Sequence, residues 1–241
     1  MTQELYEFTH QNSSTEMVLT LLLQGIAALQ HPLPGLPIES TASYSAGLLK
    51  VSSPVGDLSV FHAFVEHKEP TAPLIVWMNG GPGASSLMGF FTELGPTLLN
   101  LQSKPGTNTS GWRPFSNPSA WSHLGALLVW EQPAGVGFSR CLGGCPTQWN
   151  DTTSALGNLA ILHSFYAAHP SQRSRDLVIT GESYGGIYVP LLSQLVLHDA
   201  AMRADGVRLR AVAIGDGCIG YGVEGGCGVD SLDIFVSTLE R

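Results

Sequence analysis

Apolar residues gather in short runs of strand length along this chain of 241 residues. Six such runs occur, at residues 47–51, 58–66, 74–78, 126–130, 177–180 and 209–214. The first two flank the turn sequence Pro54-Val55-Gly56-Asp57, so they are predicted to form a β-hairpin. Helices are predicted at about residues 152–168 and 186–202, between the last runs. The polar segment 104–118, which contains Gly and Pro, is predicted to be a surface loop.

The last four runs share a further feature: each is predicted to be a buried strand that ends at a loop rich in glycine or proline. Buried strands that alternate with helices are typical of a parallel sheet with crossover helices, so the sequence predicts an α/β fold. Such sheets bind ligands beyond the carboxyl ends of their strands. The unusual loops therefore fall where a functional site is expected.

One of these loops holds a serine between glycines, in the sequence Gly181-Glu182-Ser183-Tyr184-Gly185. It matches G-x-S-x-G, the pattern of a sharp strand-to-helix turn that lifts a serine hydroxyl above the sheet and aims the next helix N-terminus at the reaction. The pattern recurs by chance, and a tight glycine turn around a buried serine would look the same. Its place between a predicted strand and a predicted helix favours a nucleophilic serine.

A second loop, Asn79-Gly80-Gly81-Pro82-Gly83, follows the run at 74–78. Hydrolases with a serine turn of this kind take the second N–H of their oxyanion hole from a loop in this place. Glycine lets a backbone N–H approach a substrate oxygen closely, although a purely structural strand-to-helix turn would also use it. The combination of the two loops favours the functional interpretation.

Four sequence blocks resemble the serine carboxypeptidase family and follow the family's order. They are LIVWMNGGPG at 74–83 followed by Ser85-Ser86-Leu87, GFFTELGP at 89–96, EQPAGVGFS at 131–139 and GESYGGIYVP at 181–190. The resemblance runs from about residue 33 to 228. It implies an α/β-hydrolase fold, with a mostly parallel sheet that is truncated before its last strands. Residues 1–32 are then an N-terminal extension or targeting segment, and 33–241 a partial α/β-hydrolase domain.

The resemblance implies roles in acyl transfer for three residues. Ser183 matches the nucleophile that forms the acyl-enzyme. The backbone N–H groups of Gly81 and Tyr184 match the oxyanion hole. The implied reaction is hydrolysis of the C-terminal peptide bond of a peptide with a free C-terminus, without a metal or an organic cofactor.

Four more residues match the group that holds the substrate's terminal carboxylate: Asn79, the N–H of Gly80, Glu93 and Glu182. Bare carboxylates repel each other, so Glu93 and Glu182 bind an anion only if a proton is shared, and they are expected to work best in acid. We therefore expect the two glutamates to approach each other near Asn79. Position alone would make Glu182 a solvated turn residue and Glu93 a charge on a helix surface.

The other two members of a catalytic triad have no match in the chain. In this fold the Asp and the His follow the serine, but only 58 residues follow Ser183 and they contain one histidine, His198, on a predicted helix that leads away from the serine. Asp216 occupies a place where the family normally has the asparagine of a Gly-Asn-Gly turn, so a turn role is expected. The histidines between residues 33 and 183 are expected to be surface or core side chains: His62, His67, His123, His163 and His169.

Without a base for its serine, the chain alone is expected to be inactive or weakly active. Two alternative functions remain open at this point. One is a carboxypeptidase-like acyltransferase, which would pass the acyl group to an alcohol. The other is a non-catalytic protein that binds peptide C-termini, since the carboxylate-binding group is present while the rest of the triad is not.

The cysteines form two close pairs, Cys141/Cys145 and Cys218/Cys227. No histidine lies near either pair at the spacing of zinc ligands, so a zinc site is disfavoured. Spacing fits two disulfides and four free thiols equally well. Disulfides would indicate an oxidising compartment, and their Cα atoms should then lie within about 7 Å of each other. Ala84 stands where the family usually has a cysteine, so one family disulfide is absent.

The net charge, the sequons and the N-terminal sequence limit which partners and which cellular compartment fit this chain. The net charge of −8 and the lack of a basic stripe exclude nucleic acid as a partner. Three glycosylation sequons, at Asn12, Asn108 and Asn150, exceed the roughly one expected by chance and favour secretion or a vacuolar or lysosomal location. The apolar run at 18–29 is too short to span a membrane. It fits the core of a signal peptide or an amphipathic helix equally well, because acidic residues precede it.

Overall fold

The computed structural model describes residues 44–99, 105–106, 109–112 and 114–218. In chain order the strands are β1 (Tyr44–Ser53), β2 (Gly56–Val65), β3 (Leu74–Met78), β4 (Thr97–Leu98), β5 (Pro105–Gly106), β6 (Thr109–Trp112), β7 (Phe115–Ser116), β8 (Ala126–Trp130), β9 (Arg140–Gly143), β10 (Asp176–Glu182) and β11 (Arg208–Gly215). The helices are α1 (Ser86–Gly89), α2 (Asp151–Ala168), α3 (Gly185–His198) and α4 (Ala200–Ala204). A π-helical turn, Phe90–Leu94, directly follows α1, and 3-10 turns lie at Trp121–His123 and Pro170–Ser174.

The main sheet has seven strands, in the spatial order β1, β2, β8, β3, β10 and β11, with β9 also paired to β2. β1 and β2 form the predicted antiparallel hairpin, with Ser53 opposite Gly56. β8, β3, β10 and β11 are parallel neighbours. Because α2 precedes β10 and α3 connects β10 to β11, the predicted sheet with crossover helices is confirmed.

Successive residues of the central strands enter two different hydrophobic clusters, one on each face of the sheet. In β3, Leu74 and Val76 belong to the cluster that includes α2 and α3. Ile75 and Trp77 belong to the cluster that includes the turn Phe90–Leu94. A strand that is covered on both faces is apolar throughout. This explains why the apolar runs at 74–78 and 126–130 predicted β3 and β8 at their observed ends.

Helix ends in the second half of the chain depend on capping side chains. α2 begins after Asn150, whose Oδ1 accepts a hydrogen bond from Thr153 N at 2.9 Å. The single helix predicted for 186–202 is wrong, because it is divided at Asp199 into α3 and α4. Asp199 Oδ1 accepts a hydrogen bond from Met202 N at 2.7 Å. Aspartate is a good N-cap, so it begins a new helix within a sequence that otherwise favours one long helix.

The prediction of a plain loop at 104–118 is also wrong. β5 pairs with β6, and β7 pairs with β4, in two small antiparallel sheets. These strands have two to four residues each. Such short strands show no alternation of apolar and polar residues, so pattern alone could not predict them.

β11 differs from the other parallel strands in its exposure. It is the last strand in the spatial order of the described sheet, and most of its residues are exposed, with Val212 at 50%. The expectation of a buried strand at 209–214 is therefore wrong for the described residues. Exposed edges of this kind can pair with other chains.

Several expectations concern residues that are not described. The extension at 1–32, the sequons at Asn12 and Asn108, and Cys227 lie outside the described residues. Asn150, the asparagine of the third sequon, is exposed. Within the described ranges, no helix combines the length and the hydrophobicity needed to cross a membrane.

Candidate active site

The two glycine-containing loops lie at the same edge of the sheet. β3 and β10 are parallel neighbours in which Met78 is opposite Gly181. The chain therefore leaves both strands at the same level, into the loop at 79–83 and the turn at Ser183. The two segments are in direct contact, because a Cβ atom added to Gly80 would lie 2.8 Å from Ser183 Cβ. The predicted juxtaposition of these loops is confirmed.

Ser183 occupies a sharp turn between β10, which ends at Glu182, and α3, which begins at Gly185. Its φ of 53° lies in the left-handed region, which costs a non-glycine residue on the order of 1 kcal/mol or more. Backbone hydrogen bonds hold this conformation. Ser183 N donates to Gly215 O at 3.0 Å, and Ser183 O accepts from Gly186 N at 2.9 Å and from Cys218 N at 2.8 Å.

The turn admits only glycine at its closest contacts. A Cβ on Gly181 would lie 2.6 Å from Met78 O, and a Cβ on Gly80 would lie 2.4 Å from Tyr184 N. Both distances are shorter than any ordinary contact of a Cβ atom. Gly81 has a φ of 108°, a conformation that side chains disfavour. These glycines therefore bring the backbone of the loop at 79–83 against the N-terminus of α3.

Asn79 is held in one orientation at the end of β3, where its side chain is 1% exposed. Its Oδ1 accepts hydrogen bonds from Trp77 Nε1 at 2.7 Å and from Gly89 N at 3.1 Å. Its Nδ2 donates to Glu182 Oε1 at 2.7 Å. Because both acceptor sites of the oxygen are used, the amide must present its N–H group to the glutamate. Asn79 thus fixes Glu182 beside the serine.

Glu182 stands next to like charges. Burial raises the pKa of the Glu182 carboxyl above its ordinary value, and the negative charges of Glu93 and Asp216 raise that pKa further. Glu93 lies exposed on the turn Phe90–Leu94. The negative charge of Glu93 thus acts on Glu182 across the fold, while the direct contact expected between the two glutamates stays a prediction. Within the described residues, no His, Cys, Asp or Glu side chains form a group of three that could hold a metal ion.

Four of the described histidines, His62, His67, His163 and His198, have hydrogen-bond partners away from the serine. His198 Nδ1 lies 2.8 Å from Gln194 O, at the end of α3 opposite to the end that follows Ser183. His163 Nε2 lies 3.0 Å from Asp199 Oδ2. His62 is buried with Nδ1 2.9 Å from Gly47 O, and burial lowers its pKa to about 4. In the described part of the chain, no histidine is hydrogen-bonded to Ser183.

Sequence reasoning gave no role to Glu131, the residue that follows β8. Its side chain is 1% exposed. Its Oε1 accepts a hydrogen bond from Ser85 Oγ at 2.5 Å and its Oε2 accepts one from Phe138 N at 2.6 Å. A Cβ on Gly137, where φ is 55°, would collide with this carboxylate. Glu131 therefore ties the end of the loop after β3 to the loop after β8. A charged residue directly after a buried strand was the available signal.

One of the two close cysteine pairs forms a short disulfide. Cys141 and Cys145 are bonded, with their Cα atoms 6.1 Å apart. Of the two interpretations that spacing left open, the bridged one is therefore confirmed for this pair. Cys218 is also disulfide-bonded, and its expected partner, Cys227, lies outside the described residues.

Comparison with known proteins agrees with this geometry. Residues 34–224 match the family model described as "Serine carboxypeptidase". The chain is 38% identical over 192 residues to the mouse (Mus musculus) lysosomal protective protein, and 35% identical over 190 residues to serine carboxypeptidase-like 36 of Arabidopsis thaliana. Each alignment covers 78% of the chain but 37% of the relative, so the chain spans little more than a third of these relatives' length.

A solved structure is similar as well. Kex1(delta)p, a prohormone-processing carboxypeptidase from Saccharomyces cerevisiae, matches with a TM-score of 0.63 and 26% identity, over 80% of this chain and 42% of that chain. This match and the observed strand order confirm the predicted α/β-hydrolase fold.

Proposed function

This chain belongs to the serine carboxypeptidase family, and we propose that it carries the nucleophile and the carboxylate-binding half of a carboxypeptidase site. The observation that carries the proposal is the contact between the strained Ser183 turn and the Asn79–Glu182 hydrogen bond at one sheet edge. A carboxypeptidase needs these two elements side by side, because the bond it cleaves adjoins the terminal carboxylate.

Ser183 is proposed as the nucleophile that attacks the carbonyl carbon of the last peptide bond. The negative charge that develops on the carbonyl oxygen would be stabilised by the N–H groups of Gly81 and Tyr184. Tyr184 is the N-cap of α3, so its N–H group also benefits from the positive end of the helix dipole. The absence of a side chain at Gly80, which contacts both Ser183 and Tyr184, supports this arrangement.

The terminal carboxylate of the peptide is proposed to bind to Asn79, the Gly80 N–H, Glu93 and Glu182. When both glutamates are ionised, only Asn79 and Gly80 can donate, so an anion would meet two groups of its own charge. A proton held by Glu182 removes one of these charges and supplies a donor. The raised pKa of Glu182 supports this role, because it keeps the carboxyl protonated to higher pH than an ordinary glutamate.

The 241-residue chain by itself is proposed to bind peptide C-termini with little turnover. A serine hydroxyl reacts slowly unless a base lies within hydrogen-bond reach. No histidine of the described residues is hydrogen-bonded to Ser183, and His62, His163 and His198 have other partners. A non-catalytic binder of C-termini is therefore the second candidate function, and it is favoured by this one observation.

The compartment is proposed to be the secretory pathway or a lysosome or vacuole. Two observations support this proposal: the Cys141–Cys145 disulfide, which requires oxidising conditions to form, and the lysosomal relative in mouse. An acidic destination would also suit a site that needs a proton on Glu182.

The first test measures binding and reaction of the purified 241-residue chain in parallel. We expect a fluorescent peptide with a free C-terminus to bind in acid, while the same peptide with a C-terminal amide does not. We expect slow labelling of Ser183 by a fluorophosphonate probe and little peptide release, with Ser183→Ala as the unlabelled control. Equal binding of acid and amide would refute the carboxylate site, and rapid turnover would show that a base reaches Ser183.

A further inference from the structure

Asp216 lies at the carboxyl end of β11, next to the serine turn. β10 and β11 are parallel with Glu182 opposite Gly215, so Asp216 follows directly after the partner of Glu182. The backbone around it is joined to the turn, since Ser183 N donates to Gly215 O at 3.0 Å and Cys218 N donates to Ser183 O at 2.8 Å. Asp216 is therefore placed on the same sheet edge as the proposed carboxylate-binding group.

The backbone conformation at position 216 accounts for the presence of a short polar side chain there, but it does not require that side chain to be charged. Its φ is 45°, in the left-handed region that asparagine and aspartate enter more readily than other side chains. The turn role expected from the sequence is thus confirmed. An asparagine, which the resemblance led us to expect here, would suit this conformation equally well. The charge of Asp216 therefore has a different consequence.

That consequence is electrostatic, and it acts on Glu182. Among the described residues, two charges act on Glu182 from neighbouring elements, and both are negative: Glu93, from the turn Phe90–Leu94, and Asp216, which follows β11. The end of β3 contributes the neutral amide of Asn79, which donates to Glu182 Oε1. The pKa of Glu182 rises, first because of burial and then because of these two charges.

We propose that Asp216 acts through Glu182: its negative charge holds a proton on the Glu93–Glu182 pair and so extends the capture of an anionic peptide C-terminus towards neutral pH. The inference rests on the proposed function. Capture takes up one proton, so affinity is constant while the pair holds its proton and falls once that proton is lost. Removing the charge at 216 lets the proton leave at lower pH.

The first experiment follows the titration of Glu182 without any ligand. Glutamate side chains are labelled with ¹³C in the full 241-residue chain, and the Glu182 signal is assigned by its loss in Glu182→Gln. We expect Asp216→Asn to lower the Glu182 midpoint by roughly half a pH unit, and Glu93→Gln to lower it further. The matched control is Asp205→Asn, which removes an aspartate charge that pairs with Arg173, and it should leave the midpoint unchanged.

The second experiment measures the affinity of a blocked dipeptide with a free C-terminus across the same pH range. We expect the pH at which affinity begins to fall to move down in Asp216→Asn by the same amount as the Glu182 midpoint, with no loss of affinity at low pH. Asp216→Gly, which removes the charge and suits the positive φ, should behave alike if the asparagine variant does not fold.

The outcomes separate the two levels of inference. An unchanged Glu182 midpoint in Asp216→Asn, or an equal shift in Asp205→Asn, overturns the role of Asp216 whatever the peptide does. A shifted midpoint in a protein that binds the dipeptide no better than its amide at any pH overturns the proposed function, and with it the use of the proton in capture. Matching shifts in both experiments support the proposal.

Discussion

Two glutamates at the carboxyl edge of the sheet have opposite environments. Glu131, after β8, is fully buried and accepts a short hydrogen bond on each of its two oxygens, from Ser85 and from Phe138. Glu182, at the end of β10, accepts one hydrogen bond from Asn79 and faces two further negative charges. Glu131 has a donor on each oxygen, whereas Glu182 has one donor and two negative charges that oppose its ionisation.

The difference separates a structural carboxylate from one suited to bind a ligand. A buried charge is tolerated when every oxygen has a donor, so Glu131 can fasten two loops together. Repulsion among Glu182, Glu93 and Asp216 is unfavourable in the folded chain alone, and uptake of a proton relieves it. The strained φ of Ser183, on the residue after Glu182, has the same character. The strained backbone and the opposing charges are therefore concentrated at the end of β10, whereas the carboxylate at the end of β8 has its hydrogen bonds satisfied.

The largest expected effect is the loss of the Glu131 contacts. Glu131→Ala would leave the Ser85 hydroxyl and the Phe138 N–H without an acceptor in a buried site, which should lower the free energy of unfolding by about 3 kcal/mol. Urea unfolding measures this change. Glu69→Ala, at an exposed side chain, is the control and should stay within about 0.5 kcal/mol. If the two variants lost the same free energy of unfolding, the hydrogen bonds of Glu131 would not be stabilising the two loops.

The second prediction concerns Glu182 and the way the stability of the folded chain depends on pH. The folded chain holds the Glu182 proton more tightly than the unfolded chain does. Stability is therefore lost as pH rises from the ordinary value of 4.5 through the raised pKa. Glu182→Gln should remove this slope and be at least as stable as the wild type at neutral pH, as urea unfolding at several pH values would show.

Ligand affinity should change in parallel. The wild-type affinity for a free peptide C-terminus should fall roughly tenfold per pH unit above the pKa of the pair, whereas Glu182→Gln should show a much weaker dependence. Glu69→Gln serves as the matched control. A wild-type affinity that does not vary with pH would contradict the shared proton.

The smallest effect concerns the strain at Ser183. Glycine accepts a φ of 53° without strain, although it loses more entropy on folding, so Ser183→Gly should raise the free energy of unfolding by less than about 1 kcal/mol. Ser183→Ala keeps the Cβ atom and should not gain this stability. Thermal unfolding of the pair isolates the strain from the loss of the hydroxyl. A less stable glycine variant would mean that the turn is not strained.

Much of the fold was predictable because a buried strand is recognisable in the sequence as a short run of apolar residues. β3 and β8 are covered on both faces, so their sequences are apolar from end to end and their bounds match the predicted runs. The short strands at 105–116 have no such pattern, and the helix break at Asp199 depends on one capping bond. The exposure of β11 depends on its place at the edge of the described sheet, which its own apolar sequence does not report.

The sequence by itself determined the serine turn, the glycine loop and the family to which they point, because close backbone contacts demand glycine at fixed spacing. Only the tertiary structure decided which charges and hydrogen-bond donors surround the carboxylates of the site. Glu93, Glu182 and Asp216 are far apart along the chain, and the charges of Glu93 and Asp216 act on Glu182 only because the fold brings them near the end of β10. The contrast between Glu131 and Glu182 has the same origin. Both lie where a buried strand ends, and only the donors and charges that the fold places around each carboxylate distinguish them.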